Sequence, residues 1–497
     1  MAFKIFKKKD NGKSRKQSAR EKNEHTNKEI NIITWVFVIA FVALTAHIVY
    51  FTAFQSESFI NNSYNGKRAE LLARRIVRGR IVSADGKILA ETVGNGAEEV
   101  RSYPYGSLFA HAVGFAAQGG TGVESISGFT LLRSDDPINL RIKNDINGIK
   151  NNGDTVITTL DTGLQKAAYD AFGKHKGAVI AINVKTGEIL AMVSKPDFDP
   201  NDIEELWTEL NDDEENSPLV NRATLGLYPP GSTFKIVTAL EYIKEHPDIT
   251  GYEFDCNGSF TFEDITISCY HGAQHGHLDL KSSFARSCNS SFANITSQLD
   301  RKKFEETCSR LMFNSRLPSP FSYRESSVLI NDTSKTPEVI QAGIGQGRTQ
   351  VTPIHMAMIT AAVANDGILM RPMVVSAVRN SRGTGVKTYS PTEYARLMSS
   401  EESHLLRELM REVVISGTGY RLQGTDGYEI AGKTGSAEYS KDKTKSHAWF
   451  TGFAPVDDPR IAVTVIAEGA GSGGESAAPV ARKVFDAWFS EQRYYKY

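Results

Sequence analysis

Net charge is nearly absent from this sequence. Its 57 Lys and Arg balance 58 Asp and Glu to leave −1 over 497 residues, so overall charge points to no partner. Formal charge is missing altogether from Ile30 to Ser56. A phosphate loop is missing too: no lysine or threonine follows Gly469-Ala470-Gly471 at the required spacing. Residues 55–150 show no chemistry-bearing motif. What is present is an ordinary globular balance, 40% hydrophobic and 23% charged, in a chain long enough for two or three domains.

The uncharged stretch holds the run Ile32-Ile33-Thr34-Trp35-Val36-Phe37-Val38-Ile39-Ala40-Phe41-Val42-Ala43-Leu44, apolar all round. A bilayer core of ~30 Å needs roughly 20 apolar residues, and Trp35, Tyr50 and Phe51 lie where interfacial aromatics belong. A cleaved signal peptide would have a shorter apolar region followed by a small-residue cleavage site. The reading is therefore one transmembrane helix over 30–54. Residues 1–29 carry ten Lys or Arg against four acids, Lys7-Lys8-Lys9 among them. Beside a membrane span this is a topology signal that keeps the tail in the cytoplasm, not a nucleic-acid site. Everything after about residue 55 is expected outside.

Residues 55–150 read as a small β-rich spacer domain, with a hairpin over 80–90 turning at Asp85-Gly86. Asn151-Asn152-Gly153-Asp154 marks its expected end, and a second domain is expected over 155–491. There the pattern predicts a helix over 162–172 and strands over 178–184 and 188–193, joined as an antiparallel hairpin at Lys185-Thr186-Gly187. Thr352-Pro353 opens a helix to about residue 364, strands are expected over 447–454 and 460–468, and a helix over 477–490 closes the domain. Strands at both ends with helices between imply an α+β layered fold built on an antiparallel sheet.

Chemistry begins at Tyr228-Pro229-Pro230-Gly231-Ser232-Thr233-Phe234-Lys235. The prolines and glycine predict a fixed turn, with Ser232 as the N-cap of the helix that follows. Lys235, three residues on, falls on the same helix face as the hydroxyl. Spacing alone proves little, since Ser440-Lys441-Asp442-Lys443 matches it in what reads as a polar loop. Ser287-Cys288-Asn289, in a segment of helical character over 284–299, is no better by itself than Ser63-Tyr64-Asn65. Order decides. Ser287 follows Ser232 by 55 residues, and Lys433-Thr434-Gly435 begins 146 residues later.

That ordered triple marks penicillin-binding proteins and serine β-lactamases. The chain resembles a class B penicillin-binding protein, a membrane-anchored peptidoglycan D,D-transpeptidase, over roughly residues 155–491. Gly187-Glu188-Ile189-Leu190-Ala191-Met192, Asn221-Arg222-Ala223, Gly345-Gln346-Gly347, Gly417-Thr418-Gly419 and Trp449-Phe450 are similar to that family too. Upstream, Arg78-Gly79-Arg80-Ile81 resembles its membrane-proximal motif, with Ser83 and Ala84 replacing the usual acid and arginine.

A serine hydroxyl needs a base to take its proton as it attacks a carbonyl. Lys235 fits if burial and the neighbouring Lys433 favour its neutral form. The resemblance implies that Ser287 relays the proton toward the leaving amine and that Asn289 binds the substrate amide. It implies that Lys433, Thr434 and Ser436 meet the substrate carboxylate, and that the backbone N–H groups of Ser232 and Ser436 form the oxyanion hole. Gly435 is expected to let a peptide approach the strand closely. Cys288 reads as a small buried residue.

Cys256, Cys269, His271, His275 and His277 cluster between the first two motifs. Outside the cytoplasm Cys256 and Cys269 suit a disulfide closing a short loop. Zinc on Cys256, Cys269 and a histidine such as His275 is the second reading, and free thiols the third. Outside that zinc reading no cofactor is expected.

The function implied is cross-linking of peptidoglycan stem peptides through an acyl-Ser232 intermediate, with inhibition by β-lactams. About 95 residues before the catalytic domain leave no room for a glycosyltransferase, which implies a separate membrane glycan polymerase as partner. A D,D-carboxypeptidase or β-lactamase on the same fold, and a non-catalytic β-lactam sensor or division scaffold, are the rivals.

Overall fold

The computed structural model describes residues 12–51, 66–94, 96–331, 333–439 and 445–490. The second Ser-x-x-Lys at Ser440, Ser63-Tyr64-Asn65 and Lys7-Lys8-Lys9 lie outside the described residues. The chain divides into two units, Met1–Asn65 and Gly66–Tyr497.

In the first unit Gly12–Tyr50 is one helix. Its part Ile30–Tyr50, 21 residues of mean hydropathy 2.5, is long and apolar enough to cross a bilayer. The helix starts well ahead of the expected span because the basic stretch is rich in Lys, Arg, Gln and Glu, all good helix formers.

The second unit contains both the expected spacer and the catalytic fold. Ile81–Val82 and Ile88–Val93 form the expected hairpin, turned at Gly86, whose φ of 80° suits glycine. Their sheet does not end at the expected boundary. Its six strands run Gly385–Thr388, Val375–Arg379, Thr155–Thr158, Ile81–Val82, Ile88–Val93, Val100–Ser102, so pieces from far along the chain complete it. Asn151-Asn152 is itself a strand, paired with Ile76-Val77. Gly79 presses on this junction: a Cβ there would lie 1.9 Å from the Asp154 carbonyl oxygen. Between these strands Glu124 is fully buried and held by Arg78 at 2.6 Å and Arg101 at 2.7 Å.

The catalytic fold is three-layered. In chain order it contains α1 (Thr162–Phe172), β1 (Gly177–Asn183), β2 (Ile189–Lys195), α2 (Lys235–Glu245), α3 (Leu280–Ala285), α4 (Asn289–Gln298), α5 (Pro353–Ala364), α6 (Ser400–Ile415), β3 (Ala431–Glu438), β4 (Ser446–Ala454), β5 (Ile461–Ala467) and α7 (Ala478–Phe489). The sheet order is β3-β4-β5-β1-β2, every pairing antiparallel. Val179 and Ala181 face the core shared with α1 and α7, while Ala178, Ile180 and Ile182 face the larger core around α5. Both faces of β1 are therefore covered, which is why it reads as a continuous apolar run rather than an alternation. α5 is buried all round. This packing leaves β3 at the sheet's edge.

Candidate active site

Ser232 stands in a 3-10 turn, Gly231–Phe234, that runs into α2. It is not the expected N-cap: Pro230 takes the capping position, and its carbonyl accepts the Thr233 hydroxyl at 2.8 Å. The turn is tied down on several sides. Tyr228 and Val351 exchange backbone bonds of 3.0 and 2.8 Å, Gly231 N–H donates to the Gly345 carbonyl at 2.9 Å, and Trp449 Nε1 donates to the Pro229 carbonyl at 3.0 Å. Glu468 Oε1 accepts from the Tyr228 hydroxyl at 2.6 Å and from Arg222 Nε at 2.9 Å, fixing the entry to the turn from below. Sequence reasoning noticed Arg222 only as part of a resemblance and missed Glu468, 246 residues away.

Lys235 is fully buried. It donates to the Ser287 carbonyl at 2.8 Å, to Asn289 Oδ1 at 2.8 Å and to Ser287 Oγ at 3.4 Å. Ser287 Oγ also accepts from Lys433 Nζ at 2.8 Å. Three motifs distant in sequence thus meet at one hydroxyl. Ser287 is not helical as expected: it lies in the break between α3 and α4 with φ at 56°, where Cys288 caps α4 by accepting from the Ser291 N–H at 3.3 Å. A continuous helix would have turned Ser287 and Asn289 onto different faces.

Burial pushes Lys235 down to about 8, with Cys288 and Cys269 opposing. Lys433, also fully buried, lies well below its ordinary range, first through burial and then through the charge of Lys235. Two buried ammoniums around one neutral hydroxyl are costly, and the neutral form is favoured.

A cleft of about 720 Å³ opens over these groups, lined by Ser232, Ser287, Asn289, Thr434, Gly435 and Ser436. The edge strand β3 forms one wall. Thr434 Oγ1 lies 2.5 Å from Thr418 Oγ1, a cleft residue whose only sequence signal was its glycine neighbours, Gly417 and Gly419. The nearest atoms to a Cβ at Gly435 would belong to Pro230, Thr233 and Trp449, each at 3.2 Å, so its smallness also serves the packing of the turn that carries Ser232. Asn289 Nδ2 donates to the Ser268 carbonyl at 3.3 Å, on the opposite wall.

Beside that wall lies the cysteine cluster. Cys256 and Cys269 are free thiols with sulfurs 3.7 Å apart, not the expected disulfide, whose bond is about 2.05 Å. The group is larger than the sequence suggested. Cys269 Sγ lies 3.6 Å from Cys288 Sγ, Cys256 Sγ lies 3.4 Å from His275 Nδ1, and all four donor atoms fall within 4.8 Å of one another. Bonds of about 2.3 Å to sulfur and about 2.0–2.1 Å to nitrogen around a tetrahedral zinc ion set S···S near ~3.8 Å and S···N near ~3.6 Å. The donor set fits. His271 lines the cleft, and His277 pairs with Asp255 at 3.0 Å on the surface.

Comparison with known proteins agrees with this geometry. Residues 177–486 match the penicillin binding protein transpeptidase domain, and residues 78–156 match the penicillin binding protein A dimerisation domain. The peptidoglycan D,D-transpeptidase PbpA of Mycolicibacterium smegmatis is 31% identical over 465 residues, covering 86% of this chain and 93% of the relative. Penicillin-binding protein A of M. tuberculosis, solved as a ceftriaxone acyl-enzyme complex, superposes with a TM-score of 0.78 at 29% identity, covering 84% of this chain and all of the other. PBP2 of Pseudomonas aeruginosa superposes with a TM-score of 0.72 at 28% identity, covering 84% and 96%. The chain belongs to the class B penicillin-binding protein family, the serine-type peptidoglycan D,D-transpeptidases.

Proposed function

We propose that the protein cross-links peptidoglycan stem peptides with Ser232 as nucleophile, Lys235 as its base and Ser287 as proton relay. The observation that carries this reading is the bridge Lys235–Ser287–Lys433 at the floor of the cleft. A neutral Lys235 keeps two donors for its 2.8 Å contacts to the Ser287 carbonyl and Asn289 Oδ1, and its nitrogen gains a lone pair. That lone pair takes the Ser232 proton as Oγ attacks the carbonyl before the terminal D-alanine. The oxyanion is held by the Ser232 and Ser436 N–H groups, and its collapse expels D-alanine, whose amine takes a proton through Ser287. The amine of a neighbouring stem then attacks the acyl-serine and completes the cross-link. β-Lactams enter the first half of this path and stop there.

The donor stem lies along β3, with its carboxylate at Lys433, Thr434 and Ser436. The helix ending at Tyr50 anchors the protein, with the basic tail cytoplasmic and the cleft outside, next to a separate glycan polymerase. The cluster Cys256, Cys269, His275 and Cys288 holds zinc, which supplies no chemistry to the reaction and serves to fix the segment carrying Ser287 and Asn289.

Incubation with penicillin followed by peptide mass spectrometry tests the central claim: the adduct is expected on Ser232, and an unmodified Ser232 peptide overturns it. The adduct is expected to persist, because rapid turnover would make the protein a β-lactamase. Metal analysis of the purified protein tests the zinc.

A further inference from the structure

Cys288 is shared between two structures. It is the middle residue of Ser287-Cys288-Asn289, whose flanking residues hold Lys235, and it is a member of the thiol cluster. Its sulfur lies 3.6 Å from that of Cys269, while the Cys256 sulfur is engaged with His275 Nδ1 at 3.4 Å. Cys269 in turn lines the catalytic cleft with 4% of its surface exposed, and the cleft is the side from which a small oxidant approaches it. Outside the cytoplasm no glutathione pool keeps thiols reduced.

We propose that Cys269 and Cys288 form a reversible disulfide that switches the transpeptidase off, and that the metal bound by the cluster keeps them reduced. The second half rests on the zinc reading above; the first does not. With hydrogen peroxide as oxidant, the Cys269 sulfur attacks one oxygen, the O–O bond breaks, and a sulfenic acid and one water result. The Cys288 sulfur then displaces the hydroxyl as a second water. Two electrons leave the sulfurs, and the two thiol protons end in the waters.

Closing the 3.6 Å gap to a bond of about 2.05 Å brings the two sulfurs together by roughly 1.5 Å, and whatever share of that Cys288 takes is passed to Ser287 and Asn289. Cys288 cannot shift alone. The Ser287 carbonyl and Asn289 Oδ1 on either side of it hold Lys235 at 2.8 Å, and its own sulfur caps α4. Misplacing a catalytic group by about 1 Å can cost about 10²-fold in rate.

The test uses the full-length protein in detergent, as purified or stripped with a chelator, each with and without hydrogen peroxide. Free thiols are counted after denaturation, disulfide peptides are mapped, and Ser232 labelling by a fluorescent penicillin is timed. Stripped and oxidised protein is expected to lose two of its four thiols, yield a Cys269–Cys288 peptide pair and label about 10²-fold more slowly, with recovery on thiol reduction. Zinc-loaded protein is expected to keep all four thiols. A disulfide joining Cys256 to Cys269 instead overturns the proposal, and so does a Cys269–Cys288 bond with unchanged labelling. Loss of labelling on stripping alone, with all thiols reduced, overturns it in favour of simple metal dependence. Absence of zinc from the purified protein removes the metal reading only, and the disulfide and labelling arms still decide the switch.

Discussion

Two buried triads in this molecule share a plan and differ in one charge. In the spacer, Arg78 and Arg101 grip Glu124; in the cleft, Lys235 and Lys433 grip Ser287. Burial works against ionised Glu124, but the two guanidiniums overcome it and hold the carboxyl below its ordinary value. Around Ser287 no carboxylate among the described residues repays the burial of two ammoniums, and both lysines are pushed toward the neutral form. The same arrangement therefore makes a structural clamp when its centre is an anion and favours neutral lysines when its centre is a hydroxyl.

The sharpest way to break this comparison is Lys235→Met. Acylation by penicillin is expected to fall about 10²–10⁴-fold. Thermal stability should hold or rise, because an uncompensated cation leaves the core. A clear loss of Tm would mean that the cleft triad is structural as well. Glu124→Gln should do the opposite. It strands two guanidiniums and is expected to cost about 3–5 kcal/mol in denaturant unfolding, while the acylation rate per folded molecule stays the same.

The two triads should also respond at opposite ends of the pH scale. Acylation is expected to rise with pH through about 8, as Lys235 becomes neutral. Glu124, whose folded value is lowered from 4.5, contributes stability that is complete above that value and lost as pH falls through the folded one. Acid unfolding measured beside an acylation profile checks both; an acylation rate that falls as the solution turns alkaline would remove Lys235 as the base. The smallest effect expected is that of Thr418→Val, which leaves the triad intact and removes one hydrogen bond to Thr434. About 1 kcal/mol, or a several-fold slower acylation, should appear without change in the pH profile.

The cleft residues were legible because each sits in a short motif whose spacing or order carries the signal. Ser232 and Lys235 are one turn apart, and the order of the three motifs singled out Ser287, Asn289 and Lys433. The helix at Thr162–Phe172 and the hairpin of β1 and β2 were legible for the same local reason, with apolar periodicity and a glycine turn. Long-range pairing was not. Val375–Arg379 joins Thr155–Thr158 across more than two hundred residues, and nothing local in either strand names its partner. The helix break at Ser287 was hidden because a positive φ on serine has no composition signal. Cys288 was overlooked as a cluster member because it was read within its catalytic motif, although it follows His275 by 13 residues, the interval that also separates Cys256 from Cys269.

The position of β3 has a consequence for the kind of polymer the protein can handle. A five-stranded sheet that stops at the cleft leaves one flank of β3 unpaired by any strand among the described residues. A stem peptide is tied to a glycan at one end, and inside the wall it is part of a net. Such a substrate has no loose end to thread through a tunnel, but it can be laid sideways against an open flank and lifted off again after joining its neighbour. On the proposed binding mode the sheet is in effect one strand short, and the wall supplies the missing one for the duration of each turnover.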